Sequence, residues 1–535
     1  MKITCRSAEF AESLANVEVR IEDSSGNVIR KAYTDESGTW SGDLSDAVHI
    51  TLRKQGYVSK TYPANTIPDQ IRLLENRLIG YSEHLHYYPG DEMTIYVHAP
   101  ESFGAVLYRH GLEKQAIATW EELKPVSRQV PDSNFVESGL GWTKGIKLSI
   151  PADAQPGLYS LHLHSNSQPE FALPLVISTP PDQPRNDLLV LASTNNWISY
   201  NIWGGRNRYR NFEDNASDPY LREPGLTTEL LAKMGKAAPR PVVDRVKNLL
   251  GMPPNEKPWM FKKLSIHRPF SNASLEDSDI YNPFTNHLAG GEWRVLGWLE
   301  REGFSYDITT GHELHFNPEI LRNYKAIILS THCEYWSHEM YQSLKQHHQK
   351  NGLAIINLSG NSIYRSVEMS KDGSHRCNNI KFENSVEDET RVIGVRFTES
   401  DFGTAAPFRV KKPGHWAFKG LSVRKDETFG AESLNRSLPE LIHRYDPAKP
   451  GIKSGLRGNG ASGWETDKLS RTAPRDFIRI AKGCNRWGGA DMVVREANHS
   501  RGMVFSASSI TFGGALLIDP VCSQITKTVL SESLK

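Results

Sequence analysis

Hydrophobic and polar residues alternate along the first third of the chain, a pattern typical of β-strands with one buried face. The stretch "ANVEVRIED" at 15–23 alternates, "SSGN" at 24–27 predicts a turn, and "VIRKAY" at 28–33 predicts the returning strand. Further strands are predicted within 86–100, 103–111 and 145–165, separated by turns that contain Gly and Pro. The first 180 residues are therefore predicted to be all-β.

This all-β region is predicted to contain two domains. Residues 1–77 resemble the carboxypeptidase-regulatory-like β-sandwich modules, because aliphatic residues alternate around the turn "TDESGTW". Residues 78–180 show the regular spacing of short strands that is typical of an immunoglobulin-like β domain. The Pro-rich stretch "STPPDQPRND" at 178–187 predicts a linker at the end of this region.

Beyond the linker, continuous apolar runs replace the alternation and predict strands that are buried on both faces. Four such runs are "DLLVLAS", "YKAIILS", "LAIINLSG" and "RGMVFSASS", and helical periodicity occurs between them in "EWRVLGWLEREGF" and "SHEMYQSLKQHHQKNG" and after them in "QITKTVLSESL". We therefore predict a multidomain β plus α/β fold, in which 181–535 form a glutamine-amidotransferase-like α/β domain with a mostly parallel sheet. Residues 210–275 are predicted to be an insertion with one helix in 227–235.

Composition and charge exclude several classes of protein. The 535 residues carry 63 Lys plus Arg and 62 Asp plus Glu, so no global field favours nucleic acid or an acidic membrane surface. The five Cys include no CxxC pair, which argues against a disulfide framework or a structural zinc site and favours the cytoplasm. The N-terminus lacks a signal-peptide core, and no apolar run reaches the roughly 18 residues of a membrane span.

Reactive side chains cluster where the buried strands end, which is where sites form in parallel sheets. The run "YKAIILS" leads directly into "THCEYWS", which places His332, Cys333, Glu334 and Tyr335 side by side. Cys333 could be a nucleophile at a strand-to-helix turn, but such an elbow needs small neighbours and a base that faces the thiol. The other interpretation of Cys333 is a small buried thiol.

A metal centre is the second chemistry that these residue types allow. A carboxylate and phenols form a hard oxygen donor set, and phenolate is a known ligand of ferric haem iron. Tyr200 and Tyr209 follow the first buried strand, and Asn361 follows the third. From residue types alone, however, a tyrosine in a loop is more often a packing residue.

Several stretches resemble one enzyme family when they are taken together in order. They are "WISYNIWGG", "GWLEREGFSYDITTGHELH", "YKAIILSTHCEYWS", "INLSGNSIYR", "ASGWETD" and "RGMVFSASSITFGGAL". Together they resemble the C-terminal region of the large subunit of N,N-dimethylformamidase and its relatives. The stretches "IGYSEHLHYYPGDEMTIYV" and "VLYRHG" are similar to the β domain that precedes it, so the resemblance covers roughly 78–535.

The resemblance implies an amidohydrolase with a mononuclear non-haem iron held by two tyrosines and one glutamate. It places the glutamate at Glu334 and the two tyrosines at Tyr200 and Tyr209. It further places the nearby histidine at His332 and the asparagine at Asn361. Tyr281 and Tyr335 are the alternatives for the second tyrosine, although Tyr335 follows Glu334 directly and is expected to point elsewhere. Glu465 and Asp467 resemble a family stretch near the pocket, where they would contact the substrate or a ligand, or else lie in an ordinary loop turn.

The leading hypothesis is therefore an iron-dependent amide hydrolase in which Fe(III) acts as a Lewis acid on a carbonyl and on water. The expected partners are a small-molecule amide substrate and either a small partner subunit, which the resemblance implies, or a second copy of the chain. One alternative is a non-catalytic protein that binds carbohydrate or a surface through its β-sandwich modules. Another is an amidotransferase-like enzyme that depends on Cys333.

Overall fold

The computed structural model describes residues 1–212, 257–270, 275, 280–281, 287–382, 387–398, 401–435 and 459–535. Most of the predicted insertion at 210–275, including the helix predicted in 227–235, lies outside the described residues.

The first region of the chain forms two small sheets, as the alternating pattern predicted. Val17, Val19 and Ile21 are buried while the polar residues between them face outward, so the period-2 pattern fixes which face meets the core. A separate core cluster contains these residues together with Ile50 and Leu52. In spatial order the sheets contain Val28–Tyr33, Glu18–Glu22, His49–Arg53 and Lys60–Pro63, and Thr39–Ser41, Lys2–Ser7 and Gln70–Leu73.

Two further sheets follow between 79 and 177. Their strands pair antiparallel with one exception, the short strand His86–Tyr87, which pairs parallel with Phe171–Ile177. In spatial order the sheets contain Lys114–Leu123, Phe103–His110, Gly157–His164, Phe171–Ile177 and His86–Tyr87, and Ile146–Ser149, Glu92–His98 and Ile79–Ser82.

A central sheet of nine strands lies in the C-terminal region, and both of its faces are buried. Val190, Ile328 and Ile356 belong to one core cluster, whereas their strand neighbours Leu189 and Ile327 belong to another. Burial on both faces explains why these strands are continuous apolar runs. In spatial order the sheet contains Asp307–Thr310, Leu188–Ala192, Ala326–Leu329, Ala354–Asn357, Val504–Ser506, Asp491–Arg495, Ile478–Gly483, Phe408–Val410 and Thr428–Phe429.

The central sheet is mixed, which corrects the prediction that it is mostly parallel. The first five strands in this order are parallel, and from Val504–Ser506 onward every neighbouring pair in the sheet is antiparallel. Three of the antiparallel pairs join strands close in sequence and need no helical crossover: Phe408–Val410 with Thr428–Phe429, Ile478–Gly483 with Asp491–Arg495, and Asp491–Arg495 with Val504–Ser506. The glutamine-amidotransferase-like assignment and the domain boundaries at 77/78 and 180/181 stay predictions.

Helices and short strands complete the described fold. Ser337 and Asp519 cap the N-termini of two predicted helices by accepting backbone N–H bonds. The α-helices are Phe135–Ser138, Thr194–Tyr200, Ala289–Arg301, Gly311–Phe316, His338–Lys350, Thr390–Ile393, Phe512–Ala515 and Pro520–Ser533, and the 3₁₀ helices are Pro258–Phe261, Pro318–Asn323 and Trp416–Phe418. The remaining strands form three small sheets: Arg365–Met369 lies between Tyr335–Trp336 and His375–Lys381, Val395–Phe397 pairs with Asp467–Leu469, and Ala405–Ala406 pairs with Ser462–Gly463.

The second β region packs directly against the helix Ala289–Arg301. Arg109 Nη2 donates to Glu300 Oε1 at 2.6 Å, and Trp293 Nε1 donates to the Gly111 carbonyl at 2.6 Å. Leu107 and Trp293 lie in the same core cluster. This packing anchors the helix that begins beside the candidate site described below.

All five cysteines are free thiols. Within the described ranges, no helix combines the length and the apolar character that crossing a bilayer requires.

Candidate functional site

Three loops meet at one edge of the central sheet because the strands before them are parallel neighbours. The helix Thr194–Tyr200 follows the strand Leu188–Ala192 and ends on Tyr200. The segment 330–334 follows Ala326–Leu329, and 358–363 follows Ala354–Asn357. The site predicted at the strand ends is therefore assembled from these three loops.

Phenol and carboxylate oxygens converge at this edge. Tyr209 Oη donates to Glu334 Oε2 at 2.5 Å, and Tyr200 Oη donates to the same oxygen at 3.4 Å. Glu334 is only 2% exposed, and the two phenol rings lie 4.6 Å apart. The structure thus brings together the three residues predicted as iron ligands, while their role as ligands stays a prediction.

Tyr335 also belongs to this oxygen cluster, so the expectation that it points elsewhere is wrong. Its hydroxyl lies 2.5 Å from Tyr209 Oη, and its ring stacks 6.0 Å from that of His375. Tyr209 comes from a separate loop, and its hydroxyl contacts both Glu334 and Tyr335. The side chains of these two adjacent residues therefore meet at the same hydroxyl group. Tyr281, the other alternative, is 43% exposed and lies on the surface.

A network of polar side chains holds the loop that carries Tyr209. Asn207 Nδ2 donates to the Tyr200 carbonyl at 2.9 Å, and Asn207 Oδ1 accepts from the Tyr209 amide at 2.8 Å, which ties the two tyrosines together. Arg208 Nη1 donates to the Met260 carbonyl at 2.7 Å, and Nη2 donates to the His375 carbonyl at 2.8 Å. The buried guanidinium therefore fixes the loop through backbone carbonyls. Sequence reasoning missed Asn207 and Arg208, for which "GGRNRY" offers no periodic signal.

His332 points one ring nitrogen into the oxygen cluster. Its Nδ1 lies 3.0 Å from the Gly360 carbonyl, which can only accept, so Nδ1 carries a hydrogen. Its Nε2 lies 3.1 Å from Tyr200 Oη and 3.3 Å from Glu334 Oε2. Burial by itself would lower the pKa of His332, but the hydrogen bond with Glu334 and the carboxylate of Glu465 raise it above its usual value. The ring is therefore oriented to exchange a proton at Nε2.

Asn361, Glu465 and Asp467 form the other side of the site. Asn361 Nδ2 donates to Glu465 Oε2 at 2.8 Å, while the buried Asn361 Oδ1 has no hydrogen-bond partner in the described structure. Asp467 Oδ1 accepts a hydrogen bond from the backbone N–H of Asn361 at 2.8 Å. This bond supports the left-handed backbone conformation of Asn361, which has φ 52°. Burial raises the pKa of both Glu465 and Asp467 to about 7. The sequence hypothesis of an ordinary turn at 465–467 does not explain two buried carboxyl groups, one of which lies 3.8 Å from Nε2 of His332.

Close backbone packing at Gly360 brings Glu465 to the site. A Cβ at Gly360 would lie 2.3 Å from the Glu465 carbonyl oxygen and 2.6 Å from the Ile510 nitrogen. We expect Gly360→Ala to push the 465 segment away and to lower the free energy of unfolding by about 1–3 kcal/mol, measured by urea denaturation. Gly414→Ala is the control, because a Cβ there meets nothing within 4 Å. Equal denaturation midpoints for the two variants would contradict this packing argument.

Cys333 faces away from the oxygen cluster and is buried. Burial raises the pKa of its thiol to about 12, and Ser359 Oγ accepts from its amide at 2.8 Å. Both nitrogens of His332 are directed at other groups, so this histidine does not serve the thiol as a base. The geometry therefore favours the interpretation of Cys333 as a buried structural thiol.

Native protein should resist iodoacetamide at Cys333 near neutral pH, because the thiol stays protonated well below its pKa of about 12. Peptide mass spectrometry should find Cys484, which is partly exposed, alkylated before Cys333. Cys333→Ala should keep the activity of the parent protein. Rapid alkylation of Cys333 that inactivates the protein would restore the nucleophile hypothesis.

His287 is a site residue that sequence reasoning missed. Its ring centroid lies 4.7 Å from that of Tyr200, 5.0 Å from that of His332 and 4.4 Å from that of Trp464. Burial and the nearby His332 hold the pKa of His287 well below its usual value. The residue lies two positions before the helix Ala289–Arg301 rather than after a strand, so the search of strand ends did not reach it.

Comparison with known proteins identifies the family. A profile of the family described as N,N-dimethylformamidase beta subunit-like, C-terminal, matches residues 105–524, which include every candidate site residue named above. The chain belongs to this family. Membership confirms the resemblance seen in the sequence, and the matched region includes the helix that follows His287 and the segment of Glu465.

Two curated relatives carry the family's name. The chain is 23% identical over 289 residues to the N,N-dimethylformamidase beta subunit of Alcaligenes sp., and 22% identical over 289 residues to that of Paracoccus aminophilus. Each match covers 45% of this chain and 36% of the relative, so the chain spans little more than a third of the length of the relatives it matches. Both relatives are named as a subunit, which is consistent with a partner subunit.

Solved structures offer a much weaker likeness. The native conformation of E. coli alpha-2-macroglobulin is similar at 13% identity over 34% of this chain and 11% of that chain, with a TM-score of 0.14. A score this low carries no structural argument.

The donor atoms of the site fit a hard metal ion. Among the described residues, no group of three His, Cys, Asp or Glu side chains could hold a metal ion, so a metal here would depend on the phenols. Tyr209 Oη, Tyr200 Oη and Glu334 Oε2 provide three converging oxygens, the donor type that ferric iron accepts. The unpartnered Asn361 Oδ1 leaves a buried polar position beside them for water or substrate.

Proposed function

We propose that this member of the N,N-dimethylformamidase beta subunit-like family is an iron-dependent hydrolase of linear amides. The observation that carries the proposal is the convergence of Tyr200, Tyr209 and Glu334 oxygens beside Nε2 of His332. Family membership supports amide hydrolysis, because the curated relatives are named for an enzyme that acts on N,N-dimethylformamide. Iron, the individual ligands and the substrate are parts of the proposal.

Two phenols and one carboxylate would hold the metal in this scheme. A ferric ion bound there would supply a Lewis acid that polarises the amide carbonyl and lowers the pKa of water. Burial raises the pKa of Tyr200 well above its usual value, as does the carboxylate of Glu334, so this phenol stays protonated until a cation binds. Metal binding at this site is therefore coupled to proton release.

His332 and Glu465 would move protons during hydrolysis. With its hydrogen on Nδ1, the neutral His332 ring can accept a proton from water at Nε2. Glu465 Oε2 lies 3.8 Å from Nε2 of His332, and burial raises the pKa of Glu465 to about 7. Near neutral pH, Glu465 can therefore hold a proton and donate it to the departing amine. Asn361 would position Glu465 through its 2.8 Å hydrogen bond and contact the developing oxyanion through its remaining N–H.

A non-catalytic binding protein explains this site less well. Glu334, Glu465 and Asp467 are all buried within one small region, and burying carboxyl groups is costly unless it serves paired charge or chemistry. A carbohydrate- or surface-binding role for the β-sandwich modules gives no reason for that arrangement. The raised pKa values of Glu465 and Asp467, with Glu465 close to an oriented histidine, instead favour catalysis.

Metal analysis together with amide hydrolysis tests the proposal. The purified protein should contain stoichiometric iron, show a visible tyrosinate band and release amine from small amides such as N,N-dimethylformamide. Chelation should remove both the colour and the activity, and ferric iron should restore them. The assay is repeated with the small subunit of a relative added, because the relatives are themselves named as subunits. A colourless, metal-free protein that folds equally well would contradict the proposal.

A further inference from the structure

The loop that carries Tyr209 lies against the first β region of the chain. This loop, residues 201–209, follows the helix that ends on Tyr200. The Gly204 N–H donates to the Glu9 carbonyl at 2.6 Å, and Glu9 belongs to a turn at 8–12 that follows the strand Lys2–Ser7. A segment distant in sequence therefore contacts the short loop between the two candidate tyrosine ligands.

Glycine at position 205 lets the loop approach the turn closely. Gly205 has φ +83°, and a Cβ built there would lie 2.5 Å from Ala11 Cβ, a separation that real side chains do not reach. Ala11 itself has φ 61°, a left-handed conformation that costs free energy in a residue other than glycine and persists only where the surrounding structure imposes it. The two backbones therefore pack at a distance that requires a residue without a side chain at position 205.

Side chains of the first β region hold the 8–12 turn in place. Arg77 Nη2 donates to Glu9 Oε2 at 2.5 Å, and Glu9 is only 8% exposed. A charge-assisted hydrogen bond of this kind is stronger than a neutral one. Arg6 Nη1 also donates to the Ala11 carbonyl at 2.9 Å. The turn is therefore a fixed support for the loop that packs against it.

The second β region contacts the same loop. The rings of Trp203 and Phe135 meet edge to face with their centroids 5.7 Å apart, and Arg206 Nη2 donates to Glu137 Oε1 at 3.1 Å. Trp203 and Phe135 are both buried. The 201–209 loop is thus held by both β regions as well as by the domain that contains the oxygen cluster.

We propose that the first β region is a positioning element of the site, which holds the 201–209 loop through the 8–12 turn and so keeps Tyr209 Oη at Glu334. For its functional consequence the inference rests on the proposed iron site, because a ligand on a loop must be held in place by surrounding contacts to bind a metal well. The first β region lies outside the range that the family profile matches, so family membership assigns it no role.

Hydrogen–deuterium exchange tests the contact in metal-free protein. Gly205→Ala introduces a methyl group that overlaps Ala11, and Gly56→Ala is the matched control, because Gly56 has φ +80° and open space around it. After chelation, peptides that cover 201–212 should exchange about 3- to 10-fold faster in Gly205→Ala, as expected for one lost hydrogen bond. Gly56→Ala should exchange there at the parent rate. Equal exchange of 201–212 in the parent and in folded Gly205→Ala overturns the inference.

A second substitution should reverse the effect. Ala11→Gly removes the methyl group on the other side of the contact, and the left-handed backbone at residue 11 suits glycine. When both substitutions are combined, exchange of 201–212 should return most of the way to the parent rate. A double variant that exchanges as fast as Gly205→Ala would mean that the disturbance arises within the loop itself, which overturns the role of the 8–12 turn.

A milder variant keeps the test decisive where Gly205→Ala fails to fold. Glu9→Gln removes the charge that Arg77 contacts but keeps the size of the side chain and an accepting oxygen. Exchange of 201–212 should rise about 2-fold, because a charge-assisted hydrogen bond is roughly twice as strong as a neutral one. Glu36→Gln, at an exposed position of the same β region, should exchange like the parent. Parent-like exchange in Glu9→Gln would overturn the inference.

Iron binding separates this inference from the proposed function. Gly205→Ala should bind ferric iron about 3- to 10-fold more weakly, as expected for one lost supporting contact, and show a shifted visible band, and the added Ala11→Gly should restore both. Faster exchange with unchanged iron affinity and band would overturn the positioning role and leave the proposed function standing. A parent protein without iron would refute the proposed function, and the exchange of 201–212 with its rescue by Ala11→Gly would then decide the inference alone.

Discussion

Glu334→Gln should leave the protein without bound iron. The substitution keeps the size of the side chain but removes the negative charge that lies 2.5 Å from Tyr209 Oη and 3.4 Å from Tyr200 Oη. Two phenols that must each lose a proton would then face the metal alone, with no carboxylate to offset its charge. We expect iron content, measured by inductively coupled plasma mass spectrometry, to drop from stoichiometric to near zero, and hydrolysis to disappear with it.

Glu465→Gln provides a matched control within the same site. Glu465 is also buried and lies 3.8 Å from His332 Nε2, but its hydrogen bond in the cluster is to Asn361 rather than to the phenols. This variant should keep its iron and its colour while losing hydrolysis, because the proton donor is gone. Full iron occupancy in Glu334→Gln would remove this residue from the ligand set. Loss of iron in both variants would mean that iron binding depends on the negative charge of the site and not on a carboxylate at position 334 in particular.

The edge of the sheet that carries the site could be predicted from sequence. Strands buried on both faces appear as continuous apolar runs, and the loops after Leu329 and Asn357 carried His332, Glu334 and Asn361. Parallel neighbours end at the same edge, so residues from two separate loops could be assigned to one place. The antiparallel half of the sheet was harder, because strands such as Thr428–Phe429 are too short to show a period.

Contacts made by irregular loops could not be predicted from periodicity. Tyr209 lies in a loop that is held in place by Asn207 and Arg208, whose side chains donate to backbone carbonyls. Every residue has a backbone carbonyl, so the sequence does not reveal which ones these side chains bind. His287 reaches the site from the start of a helix, and Tyr335 meets Tyr209 despite its position next to Glu334. These positions depend on tertiary packing, about which local residue patterns carry little information.

The choice between Tyr209 and Tyr335 as second ligand leads to the other large expected effect. Tyr209→Phe removes the oxygen nearest to Glu334 but keeps the ring, which packs against the small cluster of Tyr335, Val367 and Cys377. Stability should therefore change by only about 1 kcal/mol, the usual contribution of one hydrogen bond. We expect weaker iron binding, loss or a large shift of the visible band in absorption spectra, and hydrolysis below detection, and we expect the same of Tyr200→Phe.

Tyr335→Phe distinguishes a ligand from a neighbour of a ligand. The Tyr335 hydroxyl lies 2.5 Å from Tyr209 Oη, so in the iron-loaded protein it would donate a hydrogen bond to the Tyr209 phenolate. Losing that donor makes the phenolate a stronger electron donor, which should shift the charge-transfer band while iron content stays stoichiometric. If Tyr335→Phe instead bleaches the protein and Tyr209→Phe leaves the band unchanged, then Tyr335 is the second ligand. In that case Tyr209, which bridges Glu334 and Tyr335, would be the hydrogen-bonding neighbour, and the oxygen cluster would still hold the metal through one carboxylate and two phenols.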